Sequence, residues 1–597
     1  MRQRLLYLGK FYLLTVILFI VAKVVFMLAN ADEHAFTATD VWHVITHGLS
    51  LDLSTALYLL IIPFLVTAVS YWWDGKALAV ILRYYYVLIA VALITAFVAD
   101  TSLYPFWGFK LDASCLQYLE TPAEARASVS GPYLTIRLVI IVVGAVLFYQ
   151  LYRRIPLWEK RPTAKRGITL ANLLLIPVFI IGIRGGLDES TTNVGQVYFS
   201  QNQFLNHSAV NPVFSFLSSF EKTASNIVDY DYFTPQECDS LMLGLYPTEY
   251  VLPDSLLNTT RPDIVIVLME SAGDIFAKDM PRLQQLRREG IDFANCYANS
   301  WRTDRGTVCT YSGYPSFPTS SVMKMPKKSN SLPGIAASLR EVGYHTSYIY
   351  GGDINFTNMR SYLVGTGWET LTWKADYSGE EQSSAKWGVR DDITFNTLCE
   401  QILAADTTQR HLFGYSTLSS HEPWDVPLKK LREEIPNAFY YLDHCIGEFI
   451  DRLKQSPQWE NLLVIFLPDH SYDYYGHTEA DQQRNKIPMV WVGGAVKGPR
   501  KITQLCNQTD LAATLLGQLR LPHDQFPWSR DVVSPSYRYP LAVHNYNNGF
   551  SLADSTGFIV YDLDSRQLVT TKSSDPQRLE RIGKAILQAT TKDLKER

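Results

Sequence analysis

The chain has 597 residues, 47% of them hydrophobic and 13% aromatic, which exceeds one ordinary domain and supplies enough apolar surface for a large core or for immersion in lipid. Its formal net charge of -4 and pI near 6.3 leave no basic footprint, which excludes the nucleic-acid-binding class. The seven cysteines, at 115, 238, 296, 309, 399, 445 and 506, form no CxxC pair and leave one over if the rest were bridged, so they read as small buried hydrophobes rather than a disulfide scaffold or zinc cluster.

Charge is scarce in the first 150 residues, where the apolar stretches begin. Five of these, Leu5 to Leu28, Ser54 to Trp72, Ala77 to Val98, Tyr133 to Leu151 and Ile168 to Ile183, approach or reach the ~20 residues that a helix needs to cross a bilayer. The first has no small-residue cleavage site and runs on into further spans, so it reads as a membrane helix and not a removed signal. Arg2, Arg4 and Lys10 flank the first span, and Arg153, Arg154, Lys160, Arg161, Lys165 and Arg166 follow the fourth. Both groups belong in the cytoplasm, which puts everything from about Gly185 outside it. The expected organisation is a five-span all-α membrane domain (1–184), an extracytoplasmic membrane-surface linker (185–260) and an extracytoplasmic catalytic domain (261–597). In this topology His47, Asp52 and Arg184 fall at the outer face, where Asp52 is expected to pair with Arg184 near a lipid headgroup. The segment 99–132, with Tyr104, Phe106 and Trp107, reads as a loop of interfacial aromatic anchors.

Beyond residue 260 the pattern changes. Pro262 to Glu270 holds a continuous apolar run rich in β-branched residues and ends in a carboxylate, as suits a strand buried on both faces. Similar strands are expected at His345 to Tyr350, His411 to Ser416, Leu462 to Leu467 and Pro488 to Val492, with helices between them at Ser331 to Val342 and Ala438 to Lys454. That alternation predicts a mostly parallel central sheet covered by helices on both faces. After Lys501, a helix at Thr509 to Leu516 leads to the alternating stretch Gly557 to Asp562, part of a small C-terminal antiparallel sheet. Sites in such sheets form beyond the carboxyl ends of the strands, which is where Glu270, Asp353, His421, Asp469 and His470 sit.

The stretch Asn299 to Pro315 lies between an apolar run and a predicted helix and offers several nucleophiles: Ser300, Thr303, Thr307, Cys309, Thr310 and Ser312. A hydroxyl needs a base or a cation to become a nucleophile at neutral pH. Glu270, Asp469 and His470 supply two hard oxygens and one nitrogen, a donor set suited to Mn²⁺ or Zn²⁺. Thr303 stands just before the predicted helix, while Thr307 and Thr310 fall inside it. Arg305 is expected either to pair with Asp304 or to grip a phosphate.

These motifs, taken in order, resemble a known family. Val267-Leu-Met-Glu270-Ser271, Arg302-Thr303-Asp304, Gly352-Asp353 with Arg360, Ser420-His421 and Pro468-Asp469-His470, together with His47-Gly48-Leu49 and Asp52-Leu53-Ser54, resemble the lipoteichoic acid synthases of the alkaline phosphatase and sulfatase superfamily. The resemblance implies a sulfatase-like α/β domain on a membrane anchor. It also implies a divalent metal, Mn²⁺ before Zn²⁺ or Mg²⁺, held by Glu270, Thr303, Asp469 and His470, with Thr303 the nucleophile that becomes phosphorylated. Arg360 and His421, with Asp353 and Arg305 nearby, match positions that hold a headgroup or its phosphate. The implied partners are a membrane phospholipid donor and a glycan or lipid acceptor. Asn358 stands where the family has a headgroup-binding tryptophan, a departure that bears on phosphoglycerol specificity. The sulfatases proper build their nucleophile from Cys-x-Pro-x-Arg, whereas Cys309 is followed by Thr310 and Tyr311. Three alternatives stay open: a phosphoethanolamine transferase, for which His477 would be a further site histidine, a hydrolase using water as acceptor, and a non-enzymatic membrane signalling or scaffold protein, which would not need Glu270, Thr303, Asp469 and His470 together.

Overall fold

The fold is described from a computed structural model, which describes residues 2–73, 75–107, 110–113, 115, 131–158, 174–223, 227–247, 250–475, 477, 481–547 and 549–597. The chain divides into two compact units, Met1–Ser225 and Asn226–Arg597, so the segment 185–260 is shared between them.

In the first unit, among the described residues, four helices are long and apolar enough to cross a membrane: α1 (Arg2–Ala29), α2 (Ala38–Val69), α3 (Lys76–Trp107) and α4 (Gly131–Arg153). Of the expected fifth span, α5 (Leu175–Arg184) is an apolar helix of ten residues, and 168–173 lie outside the described residues. α3 continues to Trp107, so the first part of the expected 99–132 loop is helical, and 116–130 are not described. Tyr104 is buried against Phe26 and hydrogen-bonds the His207 ring at 3.0 Å instead of anchoring an interface. Two further helices, α6 (Gln203–Ala209) and α7 (Pro212–Thr223), bring Asn206, His207 and Asn211 into the interior of this unit.

The expected Asp52–Arg184 pair does not form. The Lys23 ammonium donates to the Asp52 carboxylate at 2.6 Å and to the Gly48 carbonyl, and Asn211 donates to the other carboxylate oxygen at 2.8 Å. Arg184 donates to the carbonyls of Gly186 and Glu189. The physical reason is burial: Lys23 and Asp52 are both sealed from solvent, and a buried carboxylate requires a charged partner in equal isolation.

In the second unit, α8 (Pro235–Met242) precedes a mixed sheet. Its described strands are β1 (Asp263–Met269), β2 (Ile291–Tyr297), β3 (Tyr344–Tyr350), β4 (Thr370–Trp373), β5 (Arg410–Ser416), β6 (Leu462–Pro468), β7 (Lys486–Ile487), β8 (Val490–Val492) and β9 (Arg500–Asn507). The order is β4-β3-β5-β1-β6-β8-β2-β7, with β9 also paired to β2. The half from β4 to β6 is parallel throughout, whereas β8 runs antiparallel to β6 and β2, and β7 antiparallel to β2. The described sheet is therefore mixed but mostly parallel, as expected: β1 to β6 and β9 run one way and β7 and β8 the other, and the expected strand at Pro488 shortens to three residues.

The continuous apolar runs are explained by two cores. Along β1 and β6, Ile264, Ile266, Leu268, Leu463, Ile465 and Leu467 enter one core, and Val265, Val267, Met269, Val464 and Phe466 enter the other. The first core is covered by α9 (Thr303–Ser312), α10 (Ile335–Glu341), α11 (Met359–Gly365) and later α14 (Leu511–Gln518), and the second by α12 (Asp391–Ala404) and α13 (Glu434–Lys454). Each fully buried Val, Leu or Ile contributes about 1.5–3 kcal/mol, so alternation into two cores holds β1 and β6 from both faces. A separate antiparallel sheet, β10 (Ala542–Tyr546) to β13 (Gln567–Ser573), carries β11 (Gly549–Asp554) and β12 (Gly557–Asp562) between them, and its apolar face packs on α15 (Pro576–Glu596), as the alternation at Gly557 to Asp562 predicts.

Candidate active site

The site follows from register. β1 lies between β5 and β6, parallel to both, with Leu268 opposite Ser416 and Met269 opposite Pro468. One residue further along each strand brings Glu270, Thr417 and Asp469 side by side at the carboxyl edge. Backbone bonds fix that edge: the Glu270 amide donates to the Thr417 hydroxyl at 2.9 Å, and the Ser420 hydroxyl donates to the Glu270 carbonyl at 2.6 Å. Gln508 donates to the carbonyls of Pro468 and Asp469.

Glu270, Asp469 and His470 each offer a donor atom, and these atoms lie within 4.8 Å of one another. One Asp469 oxygen accepts from the amides of Ser271 and His470 at 2.9 and 2.8 Å, while its other oxygen is buried and accepts no hydrogen bond. The Ser271 hydroxyl donates to Glu270 at 2.7 Å from a residue in left-handed backbone (φ 58°). His470 Nδ1–H donates to the Ser471 carbonyl at 2.9 Å, so Nε2 faces Glu270 and Asp469 at 3.6 and 3.5 Å. Three electron-pair donors thus converge in a buried space. Such an arrangement requires a proton or a cation to hold it, and an unpaired buried carboxylate oxygen fits a divalent metal ion.

The charge states agree. Burial opposes ionisation of Glu270, but the imidazoles of His470 and His421 and the Ser271 hydroxyl outweigh it and hold the pKa below the ordinary value. Burial and the neighbouring Glu270 charge push Asp469 up to about 7. Burial opposes protonation of His470, but the Asp469 and Glu270 carboxylates raise its pKa.

Thr303 joins this group as the first residue of α9. Its hydroxyl donates to the other Glu270 oxygen at 3.2 Å. The Arg302 side chain makes no capping bond, so it does not cover the positive end of α9, where the Arg305 amide donates to the Arg302 carbonyl at 3.1 Å. α9 lies against the loop that carries Asp469 and His470 so closely that a Cβ on Gly306 would fall 2.0 Å from the Asp469 carbonyl oxygen. Gly313, in left-handed backbone (φ 54°), ends the helix.

The remaining predicted residues are placed as follows. Arg305 pairs with Asp304 at 3.7 Å, donates towards the carbonyls of Phe317 and Ser320, and stacks over Trp301 at 4.8 Å. Asp353 accepts from the amide and side chain of Asn355, whose oxygen accepts from Arg360 at 2.9 Å, and the Arg360 guanidinium lies over Trp373 at 5.0 Å. Burial lowers the Arg360 pKa. His421 packs edge-on against Trp387 and donates from Nδ1 to the Glu422 carbonyl. His477 lies outside the donor group and is ion-paired to Asp481 at 2.6 Å. All seven cysteines are free. Sequence reasoning missed Ser271, Thr417, Ser420 and Gln508 as supports of this site. Only Ser271 and Ser420 had a signal, as members of the ordered motifs.

The sulfatase family model matches residues 262–521, the span that holds the mixed sheet and the converging donors. Among solved structures, the chain is similar to a protein of the alkaline phosphatase superfamily from Vibrio parahaemolyticus, with a TM-score of 0.54 and 25% identity over 62% of this chain and 98% of that one. Among curated proteins, it is similar to phosphoglycerol transferase I of Xanthomonas campestris pv. campestris (strain B100), 24% identical over 303 residues, covering 45% of this chain and 42% of the relative. It is also similar to lipoteichoic acid synthase 2 of Bacillus subtilis (strain 168), 21% identical over 245 residues, covering 37% of each. The chain spans less than half the length of the curated relatives it matches.

Proposed function

We propose that this chain is a membrane-anchored, metal-dependent phosphotransferase that moves a phosphoglycerol-type headgroup from a phospholipid donor, through an ester on Thr303, to a hydroxyl of a glycan or lipid acceptor. The observation that carries this reading is the Thr303 hydroxyl at the start of α9, bonded to Glu270 within the converging Glu270, Asp469 and His470 donors. The name phosphoglycerol transferase I, carried by one of the curated relatives, supports phosphoglycerol as the transferred group.

Glu270, Asp469, His470 and Thr303 would hold the ion, with Mn²⁺ suited to their oxygen and nitrogen donors; when bound it favours the ionised threonine oxygen and polarises a phosphate oxygen. The Thr303 oxygen, aimed by its bond to Glu270 and with its proton given up to solvent on ionisation, attacks the phosphorus, forming a P–O(Thr) bond as the P–O bond to diacylglycerol breaks. His421 protonates the departing diacylglycerol oxygen and then takes the proton of the acceptor hydroxyl, which attacks phosphorus and releases Thr303. Arg360 grips the phosphate oxygens, with Asp353 and Asn355 setting its place. The first-turn amides of α9 face the anion.

The first unit is the anchor, with α1 to α4 and the region of α5 as five spans of the cell membrane, the N-terminus in the cytoplasm and the second unit outside it. Anchoring concentrates the enzyme at its lipid donor. The test is turnover by the full chain in phosphatidylglycerol vesicles with Mn²⁺. Diacylglycerol release that needs both the metal and Thr303 supports the reading. Equal release by Thr303→Ala, or release of the headgroup to water alone when acceptor is supplied, contradicts it.

A further inference from the structure

The loop after β5 carries His421, and its shape is imposed from outside the motif. Asp391, fully buried at the start of α12, accepts from the amides of Leu418 and Ser419 at 2.8 and 3.1 Å, and its own amide donates to the Ser419 hydroxyl at 3.0 Å. The His421 amide donates to the Leu418 carbonyl at 3.0 Å, which closes a turn on the residue that Asp391 holds. Four residues before Asp391, Trp387 lies 5.1 Å from the His421 ring and donates from its indole N–H to the Glu422 carbonyl, the same carbonyl that receives His421 Nδ1–H. Val389, between them, donates its amide to the Gly351 carbonyl at the end of β3. Gly388 makes that approach with φ 144°, and a Cβ there would meet the Gly351 oxygen at 2.1 Å.

We propose that residues Trp387 to Asp391 are a positioning strap that sets the orientation of His421, with Asp391 fixing the turn and Trp387 fixing the ring and tautomer. The proposal rests on the role of His421 given above. Nδ1–H held at the Glu422 carbonyl leaves Nε2 as the exchanging nitrogen, and the strap is what keeps the carbonyl and the ring in register. Asp391 and Trp387 touch neither the metal-site donors nor any reacting atom, so they are positioning residues.

The experiment is a mutant cycle on the full chain in phosphatidylglycerol vesicles, with Asp391→Asn, His421→Ala and the double variant. Asparagine keeps the shape but presents an NH₂ to one of the two loop amides. Asp391→Asn is expected to lower kcat about 10–100-fold with KM within about threefold, the cost of a misplaced group. In the His421→Ala background the same change should cost less than about threefold, because the residue through which it acts is gone. An equal loss in both backgrounds overturns the strap, as does wild-type kcat for Asp391→Asn alongside a crippled His421→Ala. Wild-type turnover by His421→Ala instead overturns the role of His421, and the strap with it. Should Asp391→Asn fail to fold, Trp387→Leu, whose ring is partly exposed, enters the same cycle with the same expectations.

Discussion

Replacing Gly306 by alanine probes the seam between α9 and the Asp469–His470 loop without removing any polar group. The added Cβ would lie 2.0 Å from the Asp469 carbonyl oxygen, 2.7 Å from its carbon and 3.0 Å from its Cα. A carbon and a carbonyl oxygen approach no closer than about 3.3 Å without strain. The helix and the loop must therefore part by about 1.3 Å, and neither neighbour is a flexible side chain that can turn aside. Overpacking of this kind costs about 1–3 kcal/mol. The functional cost is larger, because the displacement separates Thr303 from the carboxyl edge holding Glu270, Asp469 and His470, and a shift of about 1 Å lowers rate about 100-fold. Gly306→Ala should thus lower the unfolding midpoint modestly, weaken Mn²⁺ binding and reduce headgroup transfer about 100-fold, measured by calorimetry, metal titration and diacylglycerol release. A folded variant with turnover within threefold of wild type would refute the close seating of α9 on the Asp469 backbone.

Two further outcomes follow from buried charge. In the metal-free protein, burial and Glu270 raise Asp469 to about 7, above its unfolded value of about 3.9. The folded state therefore binds the extra proton, and the stability this gives is present at low pH and lost as pH rises through about 7. Relative to Asp469→Asn, metal-free wild type should lose midpoint temperature between about pH 4 and 7 and little more above about pH 8. Divalent metal should abolish that loss, since binding displaces the proton; parallel curves for both proteins would contradict this. In the first unit, Lys23→Met leaves the Asp52 carboxylate buried with Asn211 as its remaining side-chain donor and should cost about 3–5 kcal/mol. Adding Asp52→Leu should restore much of it, measured in detergent by thermal unfolding; simple addition of the two losses would show that the pair is not coupled.

The parts of the fold legible in the sequence were those where burial is symmetrical. β1 and β6 sit between two cores, so their sequences are unbroken apolar runs, and the residues that end them, Glu270 and Asp469-His470, stood out as polar groups at strand ends. Register then converts strand ends into a site, and register is not written in either strand alone. β8 was misjudged because Pro488 and Gly493 bracket only three paired residues, and nothing local marks an antiparallel strand inserted beside β6. The partner of Asp52 was misjudged because Lys23 lies inside an otherwise apolar run. Its signal was its improbability there: a lysine so placed needs a buried anion. Asp391 gave no signal, since its work is done on backbone amides 27 and 28 residues away.

The central claim is that Thr303 carries the transferred group. Intact-mass and peptide mass spectrometry of the full chain, after incubation with phosphatidylglycerol vesicles and Mn²⁺ in the absence of acceptor, reads it directly. The account predicts a glycerophosphate increment on the peptide holding Thr303, absent from Thr303→Ala and discharged when acceptor is added. The same increment in Thr303→Ala, or none in a wild type that is turning over, would contradict it.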